Sequence, residues 1–202
     1  MISRRALGAL PLLCWSGARA GNQVEEPLAD SVRGALAAAV AQDAPPRPAF
    51  DNIQDRLAYL RWLGATSEKL KRSKAEHHTR VEFLQTLWYE SRRAGLESSL
   101  VLGLIQVESG FRKYAISSAG ARGYMQVMPF WARLIGDGDA SRLFHGQTNL
   151  RFGCVILRHY LDRERGDLFL ALGRYNGSRG KAEYPNLVFG ARRAWQWTDP
   201  GA

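Results

Sequence analysis

Glu108 is the residue of this chain that is best placed to do acid–base chemistry. It directly follows Leu100–Val107 (LVLGLIQV), a run that is almost wholly apolar. On a helix, Glu108 would share one stripe with Val101 and Leu104, so its carboxyl group would point toward the interior or into a cleft. Apolar surroundings favour the neutral form of a carboxyl group and raise its pKa. The sequence therefore predicts a side chain that still holds its proton near neutral pH, as a general acid must.

The elements that position Glu108 are predicted to be helices. Helical periodicity recurs along the chain, whereas no segment alternates as a strand would, so we predict an all-α fold. The predicted helices are Asp51–Leu63, Ser67–Glu76, Thr79–Ala94, Ser98–Ser109, Tyr124–Leu134, Thr148–Arg165, Asp167–Tyr175 and Leu187–Gln196.

Two segments interrupt this helical pattern. Phe111–Gly123 is rich in Ser, Ala and Gly, and Tyr175–Pro185 carries two glycines and ends in proline. Such compositions are typical of loops in which other groups approach the backbone closely. We expect both loops to border a cleft.

The beginning of the chain has the features of an export signal. Arg4 and Arg5 precede the apolar stretch Ala6–Trp15, and residues 18–20 have the small-x-small form of a cleavage site. We therefore predict a signal peptide over residues 1–20 and an exported, periplasmic protein. The apolar stretch is shorter than a membrane span needs, and no later segment qualifies as one.

Between the signal peptide and the folded part, residues 21–50 combine an Ala-rich stretch with Pro45, Pro46 and Pro48. This composition predicts a spacer that carries one weak helix at about Ser31–Gln42. We expect the folded domain to occupy residues 51–202.

The net charge of the chain narrows the classes of partner that it could bind but does not select one of them. The formal net charge is +9, and only three of the basic residues lie in residues 1–20. A basic exported protein can meet the cell wall, an acidic membrane surface or nucleic acid.

The cysteines and histidines indicate no metal or cofactor. Cleavage after residue 20 would remove Cys14 and leave Cys154 without a partner, as a small buried hydrophobic residue. His77 and His78 are adjacent and face different sides of a helix. His145 does not stand at a sequence spacing from another residue that is typical of metal ligands. With no phosphate-binding glycine loop either, we expect no metal and no cofactor.

Four motifs in order then identify a family. ESGFRKYAISSAGARGYMQVMP begins at Glu108, NLRFGCVILRHYL at Asn149 and ALGRYNG at Ala171, and Tyr184-Pro185 follows. Together they resemble the Slt-type lytic transglycosylases, which share the goose-type lysozyme fold and are similar to family 23 glycoside hydrolases. The resemblance covers about residues 96–188.

The resemblance implies cleavage of the β-1,4 bond between N-acetylmuramic acid and N-acetylglucosamine in peptidoglycan, with a 1,6-anhydromuramic acid product. Glu108 matches the catalytic acid of the family. Most glycosidases use two carboxylates, but this pattern offers only one. The acetamido oxygen of the substrate could replace the second, and the muramic O6 hydroxyl could attack C1 in place of water.

Five more residues carry over by motif position. Ser117 matches a serine that contacts substrate, although it could instead cap its loop. Gln126 could bind a sugar acetamide, and Met125 would form an apolar wall or pack in the core. Asn149 would bind substrate or cap its helix. Tyr175 is expected over the acid, where its phenol could bond Glu108 or stack on a sugar ring.

Two departures from the family pattern put the glycan subsites in doubt. Tyr124 replaces the usual leucine before Met-Gln, and Ser178-Arg179-Gly180 replaces the usual glycine and proline.

Two alternatives stay open at this point. One is a hydrolytic muramidase on the same fold. The other is a non-catalytic wall-binding component of an envelope-spanning secretion or conjugation machine. Such a machine is also a possible partner for a wall-cutting enzyme. The wall-enzyme motifs argue against nucleic acid as a partner.

Overall fold

The computed structural model describes residues 23–41 and 50–200. The predicted signal peptide (residues 1–20), Cys14 and the three prolines of the predicted spacer lie outside the described residues. The prediction of a periplasmic protein depends on that signal peptide.

The described residues form eight α-helices and one 3₁₀ turn (Ala140–Phe144), with no strand among them beyond isolated bridges at Ile116, Arg122 and Val127. The prediction of an all-α fold is confirmed. The helices are α1 (Asp30–Ala41), α2 (Ile53–Leu70), α3 (His77–Arg93), α4 (Ser98–Ser109), α5 (Pro129–Ile135), α6 (Gly146–Arg163), α7 (Leu168–Asn176) and α8 (Glu183–Trp195).

Three helices differ from the predicted ones by more than two residues at an end. α2 is one continuous helix where two were predicted, because Gly64 lies on its exposed side and does not break it. α5 begins only at Pro129, since proline fits the first turn of a helix and the preceding residues form a bridged loop. α8 begins at Glu183, so part of the predicted second loop is helical.

α4 forms the centre of the core. Leu102, Leu104 and Ile105 are fully buried. α8 crosses α4 at Gly103, where a Cβ atom would come within 2.6 Å of the Arg192 backbone nitrogen. The two helices therefore touch backbone to backbone, and this contact brings the start of α8 toward the end of α4.

A buried ion pair joins α3 to α6. Arg151 donates from Nε and Nη2 to Glu90 Oε1 at 3.1 and 3.0 Å. Both side chains are at least nine-tenths buried, because their exposed fractions are 9% for Arg151 and 1% for Glu90. Glu90 also contacts Arg93 at 3.2 Å, so one buried carboxylate compensates the charge of two arginines.

α1 lies within the region that we predicted to be a spacer, and it packs against α5 and α6. Val40 is buried in the common core. The residues before α1 also contact the rest of the protein, since the Trp131 indole donates to Gln23 at 3.1 Å and Arg174 contacts Glu26 at 3.1 Å. The described part of residues 21–50 thus packs on the helical domain.

In the described ranges, no helix is both long enough and apolar enough to cross a membrane.

Candidate active site

Glu108 lies in the last turn of α4 and is buried, with an exposed fraction of 7%. Its Oε1 atom accepts a hydrogen bond from the phenol of Tyr184, the second residue of α8. Its Oε2 atom is buried and has no hydrogen-bond partner among the described residues. One carboxyl oxygen is thus held by the protein, while the other has no hydrogen-bond partner among the described residues.

Burial raises the pKa of Glu108 to about 8, and the weaker opposing effect is the hydrogen bond from Tyr184, which stabilises the carboxylate. The carboxyl group is therefore mostly protonated at neutral pH. Burial also raises the pKa of Tyr184 well above its ordinary value, and the negative charge of Glu108 adds to this. The phenol consequently stays protonated and remains a donor.

Tyr175, on α7, lies near Glu108 but does not bond it. Its hydroxyl donates to the Met125 carbonyl at 2.8 Å. Burial raises the pKa of Tyr175 well above its ordinary value, and the charge of Glu108 contributes further. Tyr175 therefore links α7 to the Met-Gln segment, and Tyr184 occupies the place beside the acid that the sequence suggested for Tyr175.

The side chains of Met125 and Asn149 hold the Met125-Gln126 segment against α6 and its own loop. The Met125 side chain is fully buried against α6, where a Cβ atom at Gly153 would come within 2.3 Å of Met125 Sδ. Asn149 Oδ1 accepts from the Met125 backbone N–H, and its Nδ2 donates to the carbonyls of Arg122 and Leu143, each at 2.8 Å. The N-cap of α6 is His145, so Asn149 fixes the loop and does not cap the helix.

Gln126 has a left-handed backbone with φ of 49° and is largely buried. Its Nε2 donates to the carbonyls of Gly123 and Ala115 at 2.9 and 3.2 Å. A positive φ is uncommon for a residue other than glycine, and such residues are found at functional sites. With both amide protons used, the side-chain oxygen is the atom that Gln126 can offer to a ligand.

Ser117 closes a turn in the loop after α4. Its hydroxyl oxygen accepts from the Ala121 N–H at 3.0 Å. This is the loop-capping bond that the sequence allowed. The hydroxyl proton is not used by that bond and can still be donated to a ligand.

A family model for the transglycosylase SLT domain matches residues 87–197, which is more than half of the chain and contains every residue described in this site. The chain belongs to the transglycosylase SLT domain family. This confirms the resemblance to the Slt-type lytic transglycosylases and supports the expected lysozyme-like fold.

Named relatives of this SLT domain are longer proteins. It is 33% identical over 104 residues to a transglycosylase of Enterobacteria phage PRD1, covering 52% of this chain and 38% of that protein. It is 39% identical over 84 residues to the membrane-bound lytic murein transglycosylase C of Mannheimia succiniciproducens, covering 40% and 24%. The chain thus covers well under two thirds of either relative.

Among solved structures, the X-ray structure of lytic transglycosylase Slt from Pseudomonas aeruginosa, an inactive mutant, matches with a TM-score of 0.45 and 23% identity. The match covers 70% of this chain and 27% of that one.

Tyr184 is the residue that sequence reasoning left without a role. It was recognised only as part of the Tyr-Pro motif, and nothing in its spacing indicates a contact with a residue on α4. Its role follows from the crossing of α4 and α8, which the sequence pattern does not specify.

Among the described residues of this site, Glu108 carries the one carboxyl group. Burial and the Tyr184 bond are the causes that move the pKa of Glu108, so no other described carboxylate contributes to its shift. Nor do the described residues include a group of three His, Cys, Asp or Glu side chains that could hold a metal ion. Cys154 is buried, and burial raises the pKa of its thiol, in keeping with the packing role predicted for it.

Proposed function

We propose that this SLT domain cleaves the β-1,4 bond between N-acetylmuramic acid and N-acetylglucosamine in peptidoglycan and forms a 1,6-anhydromuramic acid end. Glu108 would act first as the acid and then as the base. The observation that carries the proposal is the buried Glu108 carboxyl group, whose pKa is about 8 and whose two oxygens differ in their partners.

The hydrogen bond from Tyr184 assigns the proton within the carboxyl group. Because the phenol donates to Oε1, that atom acts as the carbonyl oxygen of the neutral acid. The proton then sits on Oε2, which has no partner in the described part of the protein. Oε2 is thus the atom that can protonate the glycosidic oxygen.

In the first step, Oε2 gives its proton to the oxygen that leaves with N-acetylglucosamine, and the bond from C1 to that oxygen breaks. Positive charge develops at C1. The 2-acetamido oxygen of the muramic residue stabilises this charge in place of a second protein carboxylate.

In the second step, the Glu108 carboxylate takes the proton of the O6 hydroxyl while O6 bonds to C1. This closes the anhydro ring, restores the acid and consumes no water. An intramolecular hydroxyl held near C1 can have an effective molarity of about 10⁵ M or more, which favours ring closure over attack by water. During the carboxylate stage, Tyr184 stabilises the negative charge with a charge-assisted hydrogen bond.

The remaining predicted residues divide into two roles. Ser117 and Gln126 would contact the sugar, because a hydroxyl proton and an amide oxygen are still available on them. Met125, Asn149 and Tyr175 would hold the Met-Gln segment in place, since their polar groups bond within the protein.

A periplasmic location belongs to the same proposal, because peptidoglycan lies outside the inner membrane. It rests on the sequence of residues 1–20.

The test uses Glu108→Gln, which keeps the shape of the side chain and cannot give up a proton as an acid. Purified sacculi are digested with the wild-type protein and with the variant, and the released fragments are weighed by mass spectrometry. We expect anhydro ends from the wild type and no release by the variant. Reducing ends, which are heavier by one water, would assign the protein as a hydrolytic muramidase. Undiminished release by a folded variant would refute the role of Glu108.

A further inference from the structure

A cleft with a volume of about 840 Å³ opens at the end of α4 opposite to Glu108. Ser98 and Ser99, the first residues of α4, line it. Glu108 lies ten positions further along the same helix, or about 15 Å along its axis. The cleft is therefore separate from the acid, although both are built on one rigid element.

Aromatic residues are the most numerous class among those that line this cleft, although most of its accessible surface is polar. Four of the six tryptophans in the chain line it, together with one tyrosine and one phenylalanine. These residues are Phe50, Tyr59, Trp62, Trp88, Trp195 and Trp197. Ala58 is the only aliphatic residue among the described residues that line the cleft. A site for a purely apolar ligand would be expected to include leucine, valine or isoleucine as well.

Four of the six rings, those of Phe50, Tyr59, Trp62 and Trp88, are in contact with one another. The ring centroid of Tyr59 lies 5.1 Å from that of Phe50, 4.8 Å from that of Trp88 and 6.0 Å from that of Trp62. Phe50, Trp88 and Trp197 are only partly buried, so part of each ring remains accessible. Rings fixed in this way present apolar area at little cost in conformational entropy.

Polar groups complete the lining. Asp51, Asp55 and Glu97 contribute carboxylates, and Ser98 and Thr198 contribute hydroxyl groups. The side chain of Asp51 is exposed and makes no hydrogen bond or ion pair with the described residues. Glu97 is already paired with Arg192, which leaves the carboxylates of Asp51 and Asp55 beside one guanidinium, that of Arg92, in an otherwise basic protein. This charge argues against an anionic ligand such as nucleic acid.

The Tyr59 hydroxyl is buried beside Gln85, which lines the neighbouring cavity around Ile53 and Leu60 and does not line this cleft. Tyr59 therefore contributes its ring, and not its oxygen, to the cleft.

We propose that this cleft binds a saccharide, namely a short β-1,4-linked chain of N-acetylhexosamines, as a non-catalytic site. A pyranose ring has apolar C–H faces that pack on aromatic rings, and its rim of hydroxyl groups pairs with carboxylates and hydroxyls. An aromatic and polar lining with almost no aliphatic side chain matches that chemistry. That the natural ligand is a strand of the polymer cleaved at Glu108 rests on the proposed function. The site would then hold the enzyme on its insoluble substrate.

The first test measures binding without turnover. Tetra-N-acetylchitotetraose is titrated into the full-length Glu108→Gln protein, and the indole N–H signals are followed by NMR. We expect the signals of Trp88 and Trp197 to shift. Trp131 is the internal control, because its indole is bonded to Gln23 on another face of the protein. Unmoved signals at Trp88 and Trp197 would overturn the proposal. So would shifts caused only by peptide-bearing wall fragments, which would assign the cleft to the stem peptide.

The second test uses Trp197, which lies after the end of α8. Trp197→Ala should weaken binding to sacculi by about tenfold, as expected for the loss of one stacking ring. Trp197→Phe retains a ring and should recover most of the binding. Asp51→Asn provides a second variant in case the alanine variant does not fold. Cleavage of short soluble glycans should be unchanged in all three.

The two proposals can fail separately. If Glu108→Gln still cleaves sacculi while the indole signals shift, the assignment of the acid is wrong and the saccharide cleft stands. If Trp197→Ala binds sacculi as well as Trp197→Phe does, the saccharide cleft is refuted and the role of Glu108 is unaffected.

Discussion

Tyr184 donates its phenolic proton to Oε1 of Glu108, joining the second residue of α8 to the last turn of α4. This bond has two effects on the proposed chemistry. It places the proton of the neutral acid on Oε2, and it stabilises the carboxylate that forms once the proton has left. The bond lowers the pKa of Glu108, while burial raises it by more.

Tyr184→Phe should therefore slow cleavage without abolishing it. The ring still fills its place, but the carboxylate stage loses a hydrogen bond to a charged group. Such bonds contribute about 1.5–3 kcal/mol, so we expect kcat to fall by about tenfold to a hundredfold. The pKa of Glu108 should rise further, which would move the alkaline limb of the rate profile to higher pH.

The matched control for this variant is Tyr160→Phe. Tyr160 is a buried tyrosine of α6 that packs against Trp131, with ring centroids 6.1 Å apart. The kcat and the pH profile of the Tyr160→Phe variant should stay at the wild-type values. Equal losses in the two variants would indicate a general packing defect and would contradict a specific role for Tyr184.

The pH dependence of cleavage follows from the pKa of Glu108, which is about 8. The first step needs the protonated acid. Activity should therefore be retained below this pKa and should fall about tenfold per pH unit above it. The measurement is kcat/KM on a soluble glycan between pH 5 and 10. A rate that rises from pH 7 to pH 9 would contradict a protonated Glu108 as the active form.

The same pKa predicts that the folded protein loses stability as the pH rises toward 8. The folded state holds the Glu108 proton up to about pH 8, whereas an unfolded glutamate loses it near the ordinary value of 4.5. Between these two values the folded state binds more protons, so the stability that this group contributes is complete below pH 4.5 and is lost as the pH rises toward 8.

Glu108→Gln should remove this loss. From pH 5 to pH 8, the free energy of unfolding of the wild type should fall relative to that of the variant by on the order of 3 kcal/mol. Urea unfolding at the two pH values measures the difference. Parallel behaviour of the two proteins would mean that Glu108 is ionised in the folded state.

The bounds of α4 could be predicted because the signals for them are local. The apolar stripe sets the helix, and Gly110 ends it in the left-handed conformation with φ of 56°, which glycine adopts readily. The burial of Glu108 follows from the same stripe. α2 was predicted as two helices, Asp51–Leu63 and Ser67–Glu76, but it runs through Gly64 without a break. A single glycine on an exposed helix surface costs only about 1 kcal/mol and can be tolerated within a long helix.

The partners of the site residues could not be predicted in the same way. Tyr184 meets Glu108 because α8 crosses α4 closely at Gly103, and Tyr175 meets Met125 because α7 packs against α6. Both contacts depend on how helices far apart in the sequence are arranged in space. The motif positions named Glu108 and Tyr175 as candidates, whereas the hydrogen-bond partners of these residues required the structure.

Asn149 illustrates this difference and leads to another prediction. Asn149→Ala removes one acceptor and two donors from buried backbone groups at Met125, Arg122 and Leu143. Each buried group left unpaired costs about 1–3 kcal/mol, so we expect a loss of at least 2 kcal/mol in the free energy of unfolding. Chemical denaturation measures it. A variant of normal stability with a raised KM would instead indicate direct contact with substrate.

The buried ion pair between Glu90 and Arg151 provides the last prediction, for the scaffold under the site. Glu90→Ala removes the buried carboxylate that Arg151 and Arg93 share, and breaking a buried pair in this way typically costs about 3–5 kcal/mol. Asp30→Ala breaks the exposed pair with Arg33, in which the side chains are 89% and 51% exposed, and should cost under about 1 kcal/mol. Thermal and urea unfolding of the two variants give the comparison. Similar losses in both would mean that Arg151 finds other compensation when Glu90 is removed.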